Sequence, residues 1–465
     1  MPSKDILIEP SDTPSTTNNT TTETAATRQT DNTHQAGASA SMAGRRAFVV
    51  TLAGPNDTSQ ECDRLAHTLG LVCVASTQVR RRGTNHATFF GPGQTRTVHE
   101  EITAFASAHP ARAPELVLVD AQLTPRQERA LERIWELPVM DRTQLILQIF
   151  AERARTREAK LEVELATLRH QLPRVRDEGD ADDRRGGGGR GERGHTNAEL
   201  EKLRIRKRIG ELQSALATQQ SKDDARRDAR ATSFQVALVG YTNAGKSTLL
   251  RALTGAEVLV EDKLFATVGT TTRRLSHEGP LPIVVSDTVG FVRALPHELV
   301  ASFRSTLEEA RGADLRLVVV DASDPAWPAQ LSCVRETLAE DGEPEGTELL
   351  VFNKIDAAVQ ADPDARAVIE AAYPEAIIVS AHTPDDVRSL HAAVVAAQRS
   401  TLVEAVVRAT YTHGQLIGEI HREADVVAID HDDTGITAHV YAAPAIVARW
   451  RAHGVDVQVT AQVDA

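Results

Sequence analysis

One segment constrains this chain more than any other. The apolar run Val236-Ala237-Leu238-Val239 passes straight into Gly240-Tyr241-Thr242-Asn243-Ala244-Gly245-Lys246-Ser247, and Thr248-Leu249-Leu250-Arg251-Ala252-Leu253 follows. The pattern is G-x-x-x-x-G-K-[ST] with a strand before it and a helix after it, the setting in which it makes a phosphate-binding loop. Its glycines let backbone N–H groups turn inward around phosphates, and the helix N-terminus adds favourable potential. Lys246 supplies a point charge near the β and γ oxygens, and the Ser247 hydroxyl is a Mg²⁺ ligand. Strand candidates Phe234–Val239, Ile283–Ser286, Arg316–Val320, Leu349–Phe352 and Ala376–Val379 alternate with helical stretches. That alternation predicts a doubly wound, mostly parallel α/β sheet.

Two further elements say what the loop holds. Asp287 ends the apolar strand Ile283-Val284-Val285-Ser286 and is placed to hold magnesium through water. Gly290, in Asp287-Thr288-Val289-Gly290, has no side chain to keep its N–H from a γ-phosphate. Asn353-Lys354-Ile355-Asp356 ends another strand. Guanine presents N1–H and an exocyclic amine side by side, and one carboxylate, Asp356, accepts both. Adenine would leave it facing an acceptor, a costly mismatch. Asn353 and the Lys354 stem would support the loop and the ring, and Ser380-Ala381 would offer the Ala381 N–H to the base O6 edge. The segment Asp262–Arg274 carries a threonine expected to complete the magnesium shell when γ-phosphate is present; Thr272 is the first choice and Thr271 the second. The expected nucleotide contacts are thus Gly240 through Thr248, Asp287, Gly290, Asn353, Lys354, Asp356, Ser380 and Ala381. Lys246, Thr272 and Gly290 are closest to the chemistry, and Ser247, Thr272 and Asp287 closest to the metal.

The 465 residues exceed one ordinary core. Residues 1–44 are expected to be a disordered tail, since 15 Ser or Thr fall in 1–41, and Met42 is an alternative start. Residues 45–142 read as a small α/β domain. Residues 143–230 read as an antiparallel helical hairpin, with leucine or isoleucine stripes at 161, 165, 168, 172 and at 205, 209, 212, 216, broken by a tip containing Gly186–Gly189. Residues 231–400 hold the P-loop unit, and 401–465 a small α+β domain. Three scattered cysteines exclude a disulfide framework, and no run spans a bilayer, so a cytoplasmic protein, by default a monomer, without integral membrane association is expected. Net charge is −13, which argues against whole-surface attraction to nucleic acid, and no DNA partner is expected. Residues 151–230 oppose that sign, with 20 Lys or Arg against 16 Asp or Glu. Lys202, Arg204, Arg206, Lys207 and Arg208 crowd one stretch beside the exposed tip, a candidate phosphate-backbone contact.

GYTNAGKSTL, LFATVGTTTR, the segment from SDTVGFVRALPHELV to DLRLVVVDAS, and NKID together resemble the HflX family of translation-factor-related GTPases. LVDAQLTPRQERALERIW and VMDRTQLILQIFAERARTREAKLEVELATL extend the likeness upstream, over roughly residues 45–400. The resemblance implies a GTPase that binds GTP and GDP with Mg²⁺ and engages the 50S subunit, with splitting or rescue of stalled or idle 70S ribosomes under stress. It gives the tip, with Arg190 and Arg193, and the Lys202–Arg208 cluster an rRNA partner. The family's Pro-Gly-Glu-Thr-Gln tip core is absent from the stretch Gly186–Glu201 here, and Gly269-Thr270 stands where the family switch has Asp-Pro.

Ras-like enzymes place a water-orienting glutamine after the glycine of D-x-x-G. Here Phe291 stands there, so slow intrinsic turnover is expected, completed by the ribosome, with no water-positioning side chain to nominate. By resemblance to potassium-activated relatives with the same N-A-G-K-S loop, Asn243 makes K⁺ a candidate cofactor. The alternative function is a regulatory GTP/GDP switch acting on a non-ribosomal protein or on ribosome assembly.

Overall fold

The computed structural model describes residues 42–462, apart from 55–58, 81–82, 84, 176–196, 231–232, 256–264, 266–270, 278–280, 294–303, 341, 343, 345 and 412–413. Of the expected tail 1–44, residues 1–41 lie outside the described residues, as do the glycine-rich tip with Arg190 and Arg193 and most of the Asp262–Thr270 segment, whereas Met42 is buried in the N-terminal core and Gly44 N–H donates to the Gly70 carbonyl at 2.8 Å.

The N-terminal sheet is built of β1 (Arg46–Ala53), β2 (Val72–Arg80), β3 (Leu116–Val119) and β4 (Val139–Asp141), parallel and in the order β2-β1-β3-β4. Leu116-Val117-Leu118-Val119 is buried throughout, as a parallel strand covered on both faces requires. The helices α1 (Ser59–Thr68), α2 (Pro92–Ala108), α3 (Pro125–Trp135) and α4 (Arg142–Arg153) connect and cover it. A capping box starts α3: the Thr124 hydroxyl accepts the Gln127 N–H at 3.3 Å, and Gln127 Oε1 accepts the Thr124 N–H at 2.9 Å.

Two helices form the arm, α5 (Arg157–Gln171) and α6 (Asn197–Arg230), packed on each other. The expected hairpin over 143–230 is shorter than its sequence pattern suggests. Leu145, Ile146, Ile149 and Phe150 of α4 share a buried core with Cys62 and Leu65 of α1, so α4 belongs to the N-terminal layer. The base of the arm is fastened there as well. Arg174 donates to Glu128 Oε2 at 2.8 Å, to the Leu123 carbonyl at 3.0 Å and to Asp141 Oδ2 at 3.3 Å.

The central sheet holds β5 (Phe234–Gly240), β6 (Thr271–Leu275), β7 (Ile283–Asp287), β8 (Leu315–Asp321), β9 (Thr347–Asn353) and β10 (Ile377–Ile378). Their order is β10-β9-β8-β5-β7-β6, and every pair is parallel except β6 on β7. Around it lie α7 (Lys246–Thr254), α8 (Arg304–Arg311), α9 (Trp327–Ala339), α10 (Ile355–Ala361), α11 (Ala365–Ala372) and α12 (Pro384–Ser400). This is the expected doubly wound P-loop architecture, with an antiparallel edge strand added.

The last unit is an antiparallel sheet, β12-β13-β11-β14, of β11 (Val403–Thr410), β12 (Asp425–His431), β13 (Gly435–Ala442) and β14 (Asp456–Gln462). The helices α13 (Gly414–Glu423) and α14 (Pro444–Ala452) accompany it, and Ile420 and Trp450 are buried in its core. Leu281 of the central unit enters that core, and its carbonyl accepts the Gln398 amide at 2.9 Å. No described helix is long and apolar enough to cross a membrane.

Candidate functional site

The carboxyl ends of β5, β7 and β9 meet at one place, where a doubly wound sheet binds its ligand. The Gly240–Gly245 loop leaves β5 there, and three of its residues have positive φ: Gly240 (+154°), Asn243 (+63°) and Gly245 (+92°). Glycine takes such angles without strain, and asparagine tolerates them better than most residues. A side chain is excluded at Gly245 for a second reason, because a Cβ there would lie 2.2 Å from Asn353 Nδ2.

Lys246 opens α7 and is buried, its Nζ donating to the Gly240 and Tyr241 carbonyls at 3.0 and 2.9 Å. Burial pulls its pKa down to about 8, against the opposing pull of Asp287. The next residue, Ser247, donates its hydroxyl to Asp287 Oδ2 at 2.5 Å. A hydroxyl and a fully buried carboxylate, brought together from α7 and β7, make a hard-oxygen donor set of the kind Mg²⁺ accepts. Gly290 follows three residues later, and a Cβ on it would approach Thr242 Cγ2 to 2.7 Å and Lys246 Nζ to 3.1 Å. Only glycine lets the chain pass that close to the loop.

Asn353 ties the parts together. It is 1% exposed; its Nδ2 donates to the Ala244 carbonyl at 2.9 Å, and its Oδ1 accepts the Ala381 N–H at 3.1 Å. One amide therefore joins the phosphate loop, β9 and the Ser380-Ala381 turn. Ser380 N–H donates to Asp386 Oδ2 at 2.8 Å, which fixes that turn on α12. Lys354 has φ +62° and pairs through Nζ with Asp321 Oδ2 at 2.8 Å, while its Cε lies 3.9 Å from a Cβ built on Gly245. Asp356, in the first turn of α10, is exposed. Thr248 is half-buried on α7.

Sequence reasoning missed three things. Asp321, the partner of Lys354, ends β8 as Asp287 ends β7, and its position after Val318-Val319-Val320 was the available signal. Phe291 is buried, and its backbone bridges to the loop: its N–H donates to the Gly240 carbonyl at 3.1 Å, and its carbonyl accepts the Thr242 N–H at 2.8 Å. Tyr241 donates its hydroxyl to Glu61 Oε1, on α1, at 2.5 Å, a contact with no sequence signature. The two candidate switch threonines both lie on β6, where Thr271 pairs with Asp287 and Thr272 with Ser286.

Away from this centre, Lys202 is half-buried, and Arg204, Arg206, Lys207 and Arg208 are exposed on α6. They are not equivalent. Arg208 is engaged by Glu164 of α5, with Nε and Nη2 at 2.7 and 3.0 Å from its two oxygens, and by Glu211 at 3.3 Å.

Three family profiles match the chain in series. Residues 56–151 match one described as GTP-binding GTPase N-terminal, 153–230 one described as GTP-binding GTPase middle region, and 235–354 one described as 50S ribosome-binding GTPase. Among curated relatives, GTPase HflX of Gluconacetobacter diazotrophicus is 43% identical over 418 residues, covering 84% of this chain and 92% of its own. GTPase HflX of Magnetococcus marinus is 38% identical over 89% of this chain and 97% of its own. GTPase HflX of Caldanaerobacter subterraneus is 40% identical over 67% of this chain and 72% of its own.

Proposed function

The chain belongs to the HflX family of GTPases, and from that premise we propose that it binds guanine nucleotide where β5, β7 and β9 end and couples its hydrolysis to the large ribosomal subunit. The observation that carries the nucleotide reading is the Asn353 amide, which links the phosphate loop to the base-reading turn at 2.9 and 3.1 Å. Backbone N–H groups of Gly240–Thr248, with Lys246, take the phosphates. The Asp356 carboxylate accepts the two guanine donors, and Ala381 borders the base. Ser247 and Asp287 would hold Mg²⁺, which neutralises phosphate charge when bound.

For the switch threonine we favour Thr271 over the expected Thr272. Residues directly opposite in an antiparallel pair share a face of the sheet, and Thr271 is the one opposite Asp287. Gly290 N–H is the group offered to the γ-phosphate, and Phe291 leaves no side chain there to orient water. Asn243 makes K⁺ the monovalent cation to test.

For the ribosome, support comes from the profile described as 50S ribosome-binding GTPase and from exposed Arg204, Arg206 and Lys207 on an arm fastened at its base. We read the action as splitting or rescue of 70S particles in the cytoplasm. Hydrolysis measured with and without purified 50S and 70S particles tests this. Stimulation and GTP-dependent co-sedimentation are expected, and absence of both would sink the ribosomal reading. Asp356→Asn should weaken GTP and favour xanthosine triphosphate; an unchanged preference would overturn the base assignment.

A further inference from the structure

A set of buried charges joins the N-terminal layer to the phosphate loop and the segment after Gly290. Glu61 Oε1, on α1, accepts the Tyr241 hydroxyl at 2.5 Å and lies 3.0 Å from Arg142 Nη2. Arg142, the first residue of α4, donates through Nη1 to Asp120 Oδ1 at 2.6 Å and through Nη2 to the Arg293 carbonyl at 3.2 Å. The Tyr241 oxygen accepts the Arg293 N–H at 2.8 Å. Both backbone polar groups of Arg293 are therefore held, one by the phosphate loop and one by the N-terminal layer. Arg142, Asp120 and Tyr241 are buried. Burial lowers the affinity of Arg142 for its proton, but Glu61 and Asp120 more than offset it, so the guanidinium stays charged. Burial and then Glu61 push the Tyr241 phenol above its ordinary pKa, so it stays a donor.

We propose that the side chains of Tyr241, Glu61 and Arg142 are positioning groups for GTP hydrolysis, aligning the Gly290–Arg293 backbone with the γ-phosphate through the Tyr241 hydroxyl, which bonds to α1, while the Tyr241 backbone stays part of the phosphate loop. The inference rests on the nucleotide site proposed above. Phe291 cannot orient water through its ring, so the backbone around it must be placed accurately, and sub-ångström placement carries much of a rate. Phe291 is already bridged to the loop on both its polar groups, and Arg293, two residues on, is the next fixed point.

The direction of the effect follows from a gap. Glu61 Oε2 and Arg293 Nε face each other at 3.6 Å, and each is buried without a hydrogen bond among the described residues. Leaving buried charged atoms unsatisfied is costly. Even at that distance the two form an ion pair, so Glu61 holds the Arg293 side chain directly and its backbone N–H through Tyr241, and removing Glu61 or the Tyr241 hydroxyl loosens Arg293 and lowers turnover.

Tyr241→Phe keeps the ring and removes both contacts of its hydroxyl. Steady-state hydrolysis should show kcat reduced about tenfold, with KM for GTP and Kd for a fluorescent GDP changed by no more than about twofold. Glu61→Ala should act in the same way. Glu61→Gln should recover part of the loss, because its amide oxygen still accepts from the Tyr241 hydroxyl. The Tyr241→Phe/Glu61→Ala double variant should be no slower than Glu61→Ala alone, since both act through Arg293. Should Glu61→Ala fail to fold, Tyr241→Phe decides alone, with a melting curve confirming its fold. Unchanged or faster turnover in Tyr241→Phe, or losses in KM that match those in kcat, would overturn the inference. Lys246→Ala keeps the two failures apart: normal GDP binding there would mean that the nucleotide site itself is wrong, whatever Tyr241→Phe does.

Discussion

Adding one methyl group at Gly245 tests whether the Gly240–Gly245 loop and the Ser380-Ala381 turn, proposed above to read the base, act as one unit. The residue has φ +92°, so alanine there costs roughly 1 kcal/mol in backbone strain. Its Cβ would fall 2.2 Å from Asn353 Nδ2, which is the middle of a packed junction and not the end of a flexible chain. Asn353 must move, and both its bonds, to the Ala244 carbonyl and from the Ala381 N–H, are lost at about 1 kcal/mol each. Gly245→Ala should therefore weaken GDP binding by about 3 kcal/mol, near a hundredfold. Asn353→Ala alone should cost about 2 kcal/mol, from the same two bonds. In the double variant the clash is gone and only strain is added, so its loss should match Gly245→Ala and fall about 2 kcal/mol short of additivity. Fluorescent GDP titration of all four proteins measures the cycle. Losses that add within about 0.5 kcal/mol would refute the claim that Asn353 mediates the effect of Gly245.

Lys246 makes stability rise with pH in the alkaline range, the reverse of a lysine whose pKa is raised by a charged partner. Its folded pKa of about 8 lies below the ordinary lysine value, so the unfolded chain binds more protons between the two and stability rises as pH rises through that window. Thermal melting of nucleotide-free protein should show a gain from pH 8 to pH 10 that Lys246→Gln lacks; equal pH profiles would contradict the burial argument. Hydrolysis should be faster in KCl than in NaCl at matched ionic strength, and Asn243→Ala should abolish the difference; equal rates in the two salts would remove K⁺ from the reading. On the arm, Arg206→Gln should weaken 50S binding and reduce its salt dependence more than Arg208→Gln, because Glu164 already neutralises Arg208. Co-sedimentation across a salt series decides it, and equal effects would mean that the Arg208–Glu164 pair opens on binding.

The strands of the central sheet were legible because a parallel strand covered on both faces carries an unbroken apolar run, here Val236–Val239 in β5, Ile283–Val285 in β7, Leu317–Val320 in β8 and Leu349–Phe352 in β9. Thr271-Thr272-Arg273-Arg274-Leu275 is not apolar, since β6 is an edge strand, and only its antiparallel register shows which threonine shares a face with Asp287. Motif spacing cannot make that choice, because one residue of slip reverses the faces. The limit of the arm was hidden for a different reason. Residues Leu145, Ile146, Ile149 and Phe150 form a helical apolar pattern that fits a hairpin partner as well as a sheet, and only the packed core identifies the partner as α1. Arg208 read as a free cation because Glu164, its partner, sits on another helix.

The same logic explains why the charges around Arg142 left no trace in the sequence, and what they do for the fold. Glu61, Asp120, Arg142, Tyr241 and Arg293 come from five separate stretches, and each taken alone resembles a solvated polar residue. Packed together they carry a desolvation cost that apolar side chains of equal volume would avoid, so stability alone does not account for them. Their return is geometric, because a buried guanidinium accepts few arrangements of its carboxylates and carbonyls. The residue before it behaves alike: Asp141 is fully buried, caps α4 through the Gln144 N–H at 2.7 Å, and holds the Leu123 N–H at 3.1 Å and Arg174 at 3.3 Å. Two adjacent residues at the β4–α4 junction thus fix the base of the arm on one side and the segment after Gly290 on the other. A chain that had to keep its arm and its phosphate loop in a fixed relation could accept the cost of those buried charges in exchange for that alignment.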